Sequence, residues 1–363
     1  MVAKEHFHGS DLEKIEQIFH IKKEDITSFS ANINPLGISP KMKAHLQNHI
    51  DCITTYPDRE YTDLRKAIGN YVHTDYSNIL VGNGATELIS LFINFHKPKK
   101  AILVAPTYSE YKREIERSGG ECSFYFLKEE EGFSLNLEHF KQCLDHTVDL
   151  VIICNPNNPT STALTKNQME EIVKYCDEHH IFVLVDETYV EFADETIYSS
   201  VPLVDHYHNL VILRGISKFF GSPGLRLGYG ICGNKELLSF VKKEQSPWTI
   251  NSLASLAGEV MFSDTTFQQQ TKQYIKEQRD MICQQLSTIP AISYIPPVAN
   301  FVLCHIVDKK VTASELFETC IKQGLMIRDC VTFEGLSPYY FRFCFMEEEK
   351  NKQLLEIITK TLS

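Results

Sequence analysis

Five short apolar runs recur through the middle of the chain: NILVG (78–82), AILVAP (101–106), VDLVIICNP (148–156), IFVLVDE (181–187) and NLVILRG (209–215). They are short and continuously apolar, rich in β-branched residues, and bounded by turn residues. They therefore read as strands buried on both faces. Polar stretches with helical spacing, such as 166–179, separate several of them. This alternation predicts an α/β fold with a mostly parallel sheet sandwiched by helices. Each run ends in a turn rich in Gly, Pro, Asn or Asp, and in such sheets ligands collect beyond the carboxyl ends of the strands. The chemistry is expected in those turns.

At 363 residues the chain exceeds what one hydrophobic core usually holds. The pattern changes near Lys276, where a long polar helix leads into ISYIPPVANFVLCHI, a helix at TASELFETCIKQG, strands at LMIRD and YYFRFCF, and a final helix. We expect residues 1–40 to form an N-terminal segment packing with a small domain, 41–275 a large domain, and 276–363 the small α+β domain. In the first segment Leu12, Ile15, Ile18 and Phe19 share one helical face.

The net charge of −11, with no sustained basic stripe, argues against nucleic-acid or anionic-membrane partners. No apolar run approaches the roughly 18 residues of a membrane helix. The eleven cysteines are scattered with no CxxC, as expected of free thiols in a reducing compartment, and the first ten residues lack a secretory apolar core. A cytoplasmic location is expected. The pairs His6/His8, His45/His49 and His206/His208 lack an obvious third ligand, so no metal is expected.

Four turns carry the functional signal. In ILVGNGATELI, Gly82–Gly84 end a strand, and Ala85 and Thr86 open a helix whose free N–H groups form an anion seat. The spacing matches neither GxGxxG nor GxxxxGK[ST], and alone it equally suits a plain strand-to-helix turn. CNPNNPT forms a rigid turn that can aim an asparagine inward. FVLVDETY ends a buried strand in Asp186, a carboxylate that needs a partner or a helix to cap, with Tyr189 nearby. GISKFFGSPGLRLGYG sets Lys218 and Arg226 alone among glycines and apolar residues. An anion seat (Ala85, Thr86, Arg226), a carboxylate for a pyridinium (Asp186), an oxygen partner (Asn158 or Tyr189) and a nucleophilic amine (Lys218) together are what pyridoxal phosphate requires. Tyr108 in APTYSEY offers a flat face for its ring.

The ordered series NINPLG, YPD, GNGATE, PTY, NPNNPT, DETY, SK with an arginine eight residues on, and FRF spans almost the whole chain. It resembles the fold-type I pyridoxal-phosphate enzymes of the class II aminotransferase group. The resemblance implies an aspartate aminotransferase-like large domain. It makes Lys218 the amine that condenses with the cofactor aldehyde and sets Asp186 at the pyridine nitrogen. Asn158 and Tyr189 fall at the ring oxygen and Tyr108 against the ring. Gly84, Ala85, Thr86, Ser217 and Arg226 fall around the phosphate. It implies a homodimer in which Tyr56 reaches the neighbouring phosphate site, and it matches Arg342 to the arginine that binds the substrate acid group. Arg328, Asn32, Ser30 and His8 are further candidate substrate contacts. Two positions depart from the group's pattern: Ser161 where NPTG has glycine, and Gly215 where a hydroxyl is common.

Within the group, HGSDL before SANINPLG, PGLRLGY and MIRDCVTFEGL are more similar to threonine-phosphate decarboxylases, which make a cobalamin side-chain precursor. Histidinol-phosphate aminotransferases, typically with NENP near the start, are the alternative. Both act on a small phosphorylated amine. A silent cofactor-binding protein and a nicotinamide-dependent oxidoreductase are more distant readings; the first is disfavoured by the intact lysine, aspartate and tyrosine, the second by the missing glycine pattern.

Overall fold

The computed structural model describes residues 11–363. Its large sheet comprises β1 (Ile79–Gly82), β2 (Lys100–Ala105), β3 (Glu121–Phe126), β4 (Leu150–Cys154), β5 (Phe182–Asp186), β6 (Leu210–Gly215) and β7 (Gly228–Ile231). The spatial order is β1-β7-β6-β5-β4-β2-β3. The neighbours from β3 through β6 pair in parallel, and β7 runs antiparallel to both β6 and β1. All five apolar runs form strands, and β4 and β6 are buried along their whole length. They are fully apolar because helices cover both faces.

The helix Lys166–Glu178 shows how these elements arise. Thr165 and Gln168 form a reciprocal capping box that satisfies the free N–H groups at its start. Met169, Ile172, Val173 and Cys176 then recur at helical spacing and turn inward against the sheet.

A second sheet, β8 (Ile292–Tyr294), β9 (Phe301–Ile306), β10 (Arg328–Asp329) and β11 (Tyr340–Cys344), is antiparallel throughout, in the order β10-β11-β9-β8. The stretch LMIRD divides at Ile327: Leu325–Met326 pairs with Thr27–Ser28, and Arg328–Asp329 pairs with β11. The first of these pairings ties the N-terminal segment to the small sheet. The helix Thr265–Leu286 runs between the two sheets, and the expected divide at residue 276 falls within it. Ile18 departs from expectation. Ile15 is buried, but Ile18, on the same face, is exposed. Among the described residues no helix is long and apolar enough to cross a membrane.

Candidate active site

The turns after β1, β2, β4, β5 and β6, with β10 and β11 of the small sheet, enclose a cavity of about 410 Å3. Its wall carries Lys218, Asp186, Tyr189, Tyr108 and Asn158, with Ala85, Thr86, Ser217 and Arg226 at the side of the large sheet. Arg328 and Arg342 close it from the small sheet. The topology brings these residues together because every large-sheet element contributes from the same edge.

Lys218 Nζ donates to the Ala31 carbonyl at 2.7 Å, and the Lys218 carbonyl accepts from Asn34 N at 3.0 Å. The N-terminal segment therefore grips this lysine at both ends. Burial of the amine, with Arg342 and Arg226 nearby, lowers its pKa to about 8. Such an amine is neutral far more often at neutral pH than a surface lysine, which is what a nucleophile needs.

Asp186 ends β5 and is 5% exposed. Its Oδ1 accepts from Thr188 N at 3.0 Å and Thr188 Oγ1 at 2.5 Å, and its Oδ2 accepts from the Tyr111 hydroxyl at 2.6 Å. Burial raises its pKa, while these donors and the Lys218 charge oppose that rise. A cationic ring N–H arriving at this buried carboxylate would favour the ionised form.

The anion seat is built on two glycines. Gly84 adopts a left-handed φ of +79°, and a Cβ there would run into the Arg226 guanidinium, 3.0 Å from its Cζ. A Cβ on Gly228 would strike the Ala85 backbone. The helix N-terminus at Gly84–His96, its Thr86 hydroxyl and the Arg226 fork thus close around one small space, which suits a phosphate. These residues fit pyridoxal phosphate: an anion cradle, a buried carboxylate and an activated amine share one cavity.

Arg328 and Arg342 are register partners across β10 and β11, both nearly buried. Arg328 donates to Thr332 Oγ1 at 2.9 Å and lies over the Phe333 ring. Arg342 donates to Asn158 Oδ1 and, at 2.6 Å, to the Ser30 carbonyl, while its Nε has no hydrogen-bond partner among the described residues. The Asp329 carboxylate accepts from Ser314 Oγ and Val331 N. Asn32 sits behind this wall in a left-handed conformation; its amide donates to the Tyr189 hydroxyl at 3.4 Å, and its Oδ1 is unpaired among the described residues.

Three predicted residues among those described do not line the cavity: Gly84, Asn32, which is fully buried, and Tyr56. Tyr56 is 78% exposed and lies against Trp248, with ring centroids 4.7 Å apart. His8 lies outside the described residues. Conversely, Tyr111, Thr188, Thr332 and Phe333 line the cavity without having been singled out. Thr188 carried the readable signal of an Asp-x-Thr turn.

Both departures have a structural account. Ser161 takes the left-handed φ of 59° that glycine adopts readily, and its hydroxyl accepts from Ala299 N at 3.0 Å, joining the NPNNPT turn to the small-sheet side. At Gly215 a Cβ would meet only Ala85 Cβ at 3.6 Å, Leu227 O at 3.8 Å and Ala85 N at 3.9 Å, so a side chain has room there.

The family model for aminotransferase class I and II matches residues 24–358. The threonine-phosphate decarboxylase of Salmonella typhimurium is 31% identical over 356 residues, covering 98% of this chain and 96% of that protein. The histidinol-phosphate aminotransferase of Methanocaldococcus jannaschii is 28% identical over 98% of this chain and 94% of its own length. Among solved structures, the histidinol-phosphate aminotransferase from Clostridium acetobutylicum superposes with a TM-score of 0.86 at 33% identity, covering 92% of this chain and 98% of that one.

Proposed function

From the chain's membership of the aminotransferase class I and II family, which its match shows, we propose that it is a threonine-phosphate decarboxylase. Its cofactor is pyridoxal 5′-phosphate. The observation that carries the substrate reading is the pair Arg328 and Arg342: two buried guanidinium forks in one cavity, hydrogen-bonded to neutral groups only. Such forks suit a substrate with two acid groups, here a carboxylate and a phosphate. The Salmonella typhimurium relative supports this choice.

Bound in this cavity, the cofactor supplies an electron sink for the bond broken at the substrate Cα. Ala85, Thr86, Ser217 and Arg226 would hold its phosphate, Asp186 its ring nitrogen, Tyr108 its face, and Asn158 and Tyr189 its oxygen. Lys218, with its lowered pKa, would hold its aldehyde before substrate arrives. The arginine pair would fix the substrate's two acid groups and so select the carboxylate bond, rather than the Cα–H bond, for cleavage. Lys218 Nζ, once protonated, or a nearby water would return the proton that Cα needs when carbon dioxide has left.

A second reading, histidinol-phosphate amino transfer, is favoured by the Clostridium acetobutylicum similarity, and the same forks suit its substrates taken in turn. We further propose a homodimer, supported by the exposed Tyr56–Trp248 pair outside the chain's own cavity. A cytoplasmic location agrees with eleven free cysteines.

Purified protein should be yellow, and borohydride should bleach it and fix the cofactor on Lys218. Incubation with L-threonine O-3-phosphate should release carbon dioxide without consuming a 2-oxo acid. Amino transfer without gas would replace the decarboxylase reading with the second, and protein that takes up no pyridoxal phosphate would remove both.

A further inference from the structure

Tyr111 sits on the helix Glu110–Arg117, 1% exposed, beneath the cavity floor. It belongs to no motif that points to the cofactor, and an ordinary buried aromatic would explain its ring. Its hydroxyl has a more specific position. It donates at 2.6 Å to Asp186 Oδ2, across 75 residues of sequence. The other two donors to this carboxylate come from Thr188, two residues away, and both go to Oδ1. Tyr111 is therefore the long-range restraint on Asp186, and it acts on the oxygen that the local turn leaves free. The same ring stands edge-on to Tyr108, with centroids 5.6 Å apart and planes at 86°. One side chain thus braces both the carboxylate and the aromatic face of the site.

Given the pyridoxal-phosphate reading on which this rests, we infer that Tyr111 is a positioning residue that clamps Asp186 Oδ2 and keeps the carboxylate ionised against the cofactor's ring nitrogen. The carboxylate's other donors are local, the Thr188 amide and hydroxyl at Oδ1. Leu213 of β6 flanks it in register, Cys154 flanks it on β4, and the titratable groups facing it are Tyr108, Tyr189, Cys154 and Lys218. Of these only Lys218 is a cation. A hydrogen bond to a charged group is worth about 1.5–3 kcal/mol, or roughly 10–100-fold in an equilibrium constant. Without the Tyr111 donor, the ring nitrogen should release its proton at a pH lower by about one to two.

The test uses holoenzyme carrying 15N-labelled pyridoxal phosphate and follows the ring-nitrogen resonance with pH. In the unaltered protein the nitrogen should stay protonated throughout the neutral range. In Tyr111→Phe, which keeps the ring and its contact with Tyr108, it should deprotonate earlier, and cofactor dissociation should rise by about tenfold or more. Activity should fall mainly in kcat, with KM little changed. A Tyr111→Phe nitrogen titration superimposable on the unaltered one would overturn the inference while leaving the cofactor reading intact. So would an unaltered protein whose nitrogen titrates like the free cofactor's, a result that needs no variant to fold. Failure of the unaltered protein to bind pyridoxal phosphate would overturn both.

Discussion

Arg328 and Arg342 face each other as Cα partners across an antiparallel strand pair. Two cations at this separation repel, and neither has a carboxylate within hydrogen-bonding reach among the described residues. The arrangement makes sense when anionic groups arrive between them and the cofactor. Replacing either arginine by alanine should lower kcat/KM for threonine phosphate by roughly 10–100-fold, the worth of a charge-assisted hydrogen bond. Steady-state kinetics on both variants, with cofactor content measured alongside, checks this. Full cofactor loading with an unchanged kcat/KM in either variant would exclude that arginine from substrate binding.

Ser161 holds a backbone shape that glycine takes readily, and it does so while donating nothing to the cavity wall. The Ser161 hydroxyl oxygen is a buried acceptor for Ala299 N. Removing it leaves that N–H unpaired. Ser161→Ala should therefore destabilise the fold by about 1–3 kcal/mol. Ser161→Gly should show a smaller loss, because it relieves the left-handed strain of about 1–2 kcal/mol at the same time. Urea unfolding of the three proteins orders them, and an alanine variant as stable as the unaltered chain contradicts the assignment.

Lys218 should betray its environment through pH. With its amine pKa near 8, the neutral fraction reaches one half near pH 8 and levels off about one pH unit higher. The rate at which apo-protein takes up pyridoxal phosphate should follow the same curve, with its inflection near pH 8 and a plateau about one pH unit above it. A solvated lysine, titrating about 10.4, would keep accelerating well beyond that point. Arg342→Ala removes the larger of the two neighbouring positive charges and should move the inflection upward. Stopped-flow absorbance gives the profile, and an inflection near that of free lysine would show that the amine is not desolvated.

The five apolar runs were readable as strands because a parallel sheet buries both faces and leaves no alternation to decode. The strand Glu121–Phe126 was not, since it lies at the sheet edge with most of its residues partly exposed. Lys218, Asp186 and Arg226 were legible because they stand as isolated polar residues where strands end. Tyr111 and Arg214 were hidden for the opposite reason. Their sequences look like ordinary core, and only folding supplies the partners, 75 residues away for Tyr111 and 27 for Arg214. Ile18 shows the limit of periodicity alone: it lies on the same apolar arc as Ile15, yet it is 44% exposed.

Arg214 illustrates how the buried scaffold behind Asp186 is held, and it yields the remaining prediction. Its guanidinium is 1% exposed and donates to Glu187 Oε2 at 2.8 and 3.0 Å, to Glu195 Oε1 at 3.0 Å and to Ser199 Oγ at 2.8 Å. Glu191 lies 3.8 Å away, and burial raises its pKa despite the arginine. Glu187 directly follows Asp186, so this network anchors the chain that carries the site. Arg214→Ala would strand Glu187 in a fully buried position without its cation, at a cost of about 3–5 kcal/mol. Burial already raises the pKa of Glu191, and losing the arginine's charge would raise it further, so the folded variant would hold a proton that the unfolded chain releases, and stability would fall as pH rises above the ordinary glutamate range. The deficit of Arg214→Ala against the unaltered protein should accordingly be larger at pH 8 than at pH 5. Replacing Arg214 and Glu187 together by apolar residues of similar volume should recover much of the loss, because no buried charge is then left unpaired. Guanidinium unfolding at the two pH values decides the matter. A deficit below about 1 kcal/mol, or one that shrinks with rising pH, would mean that water reaches Glu187 and that the network does not carry the site.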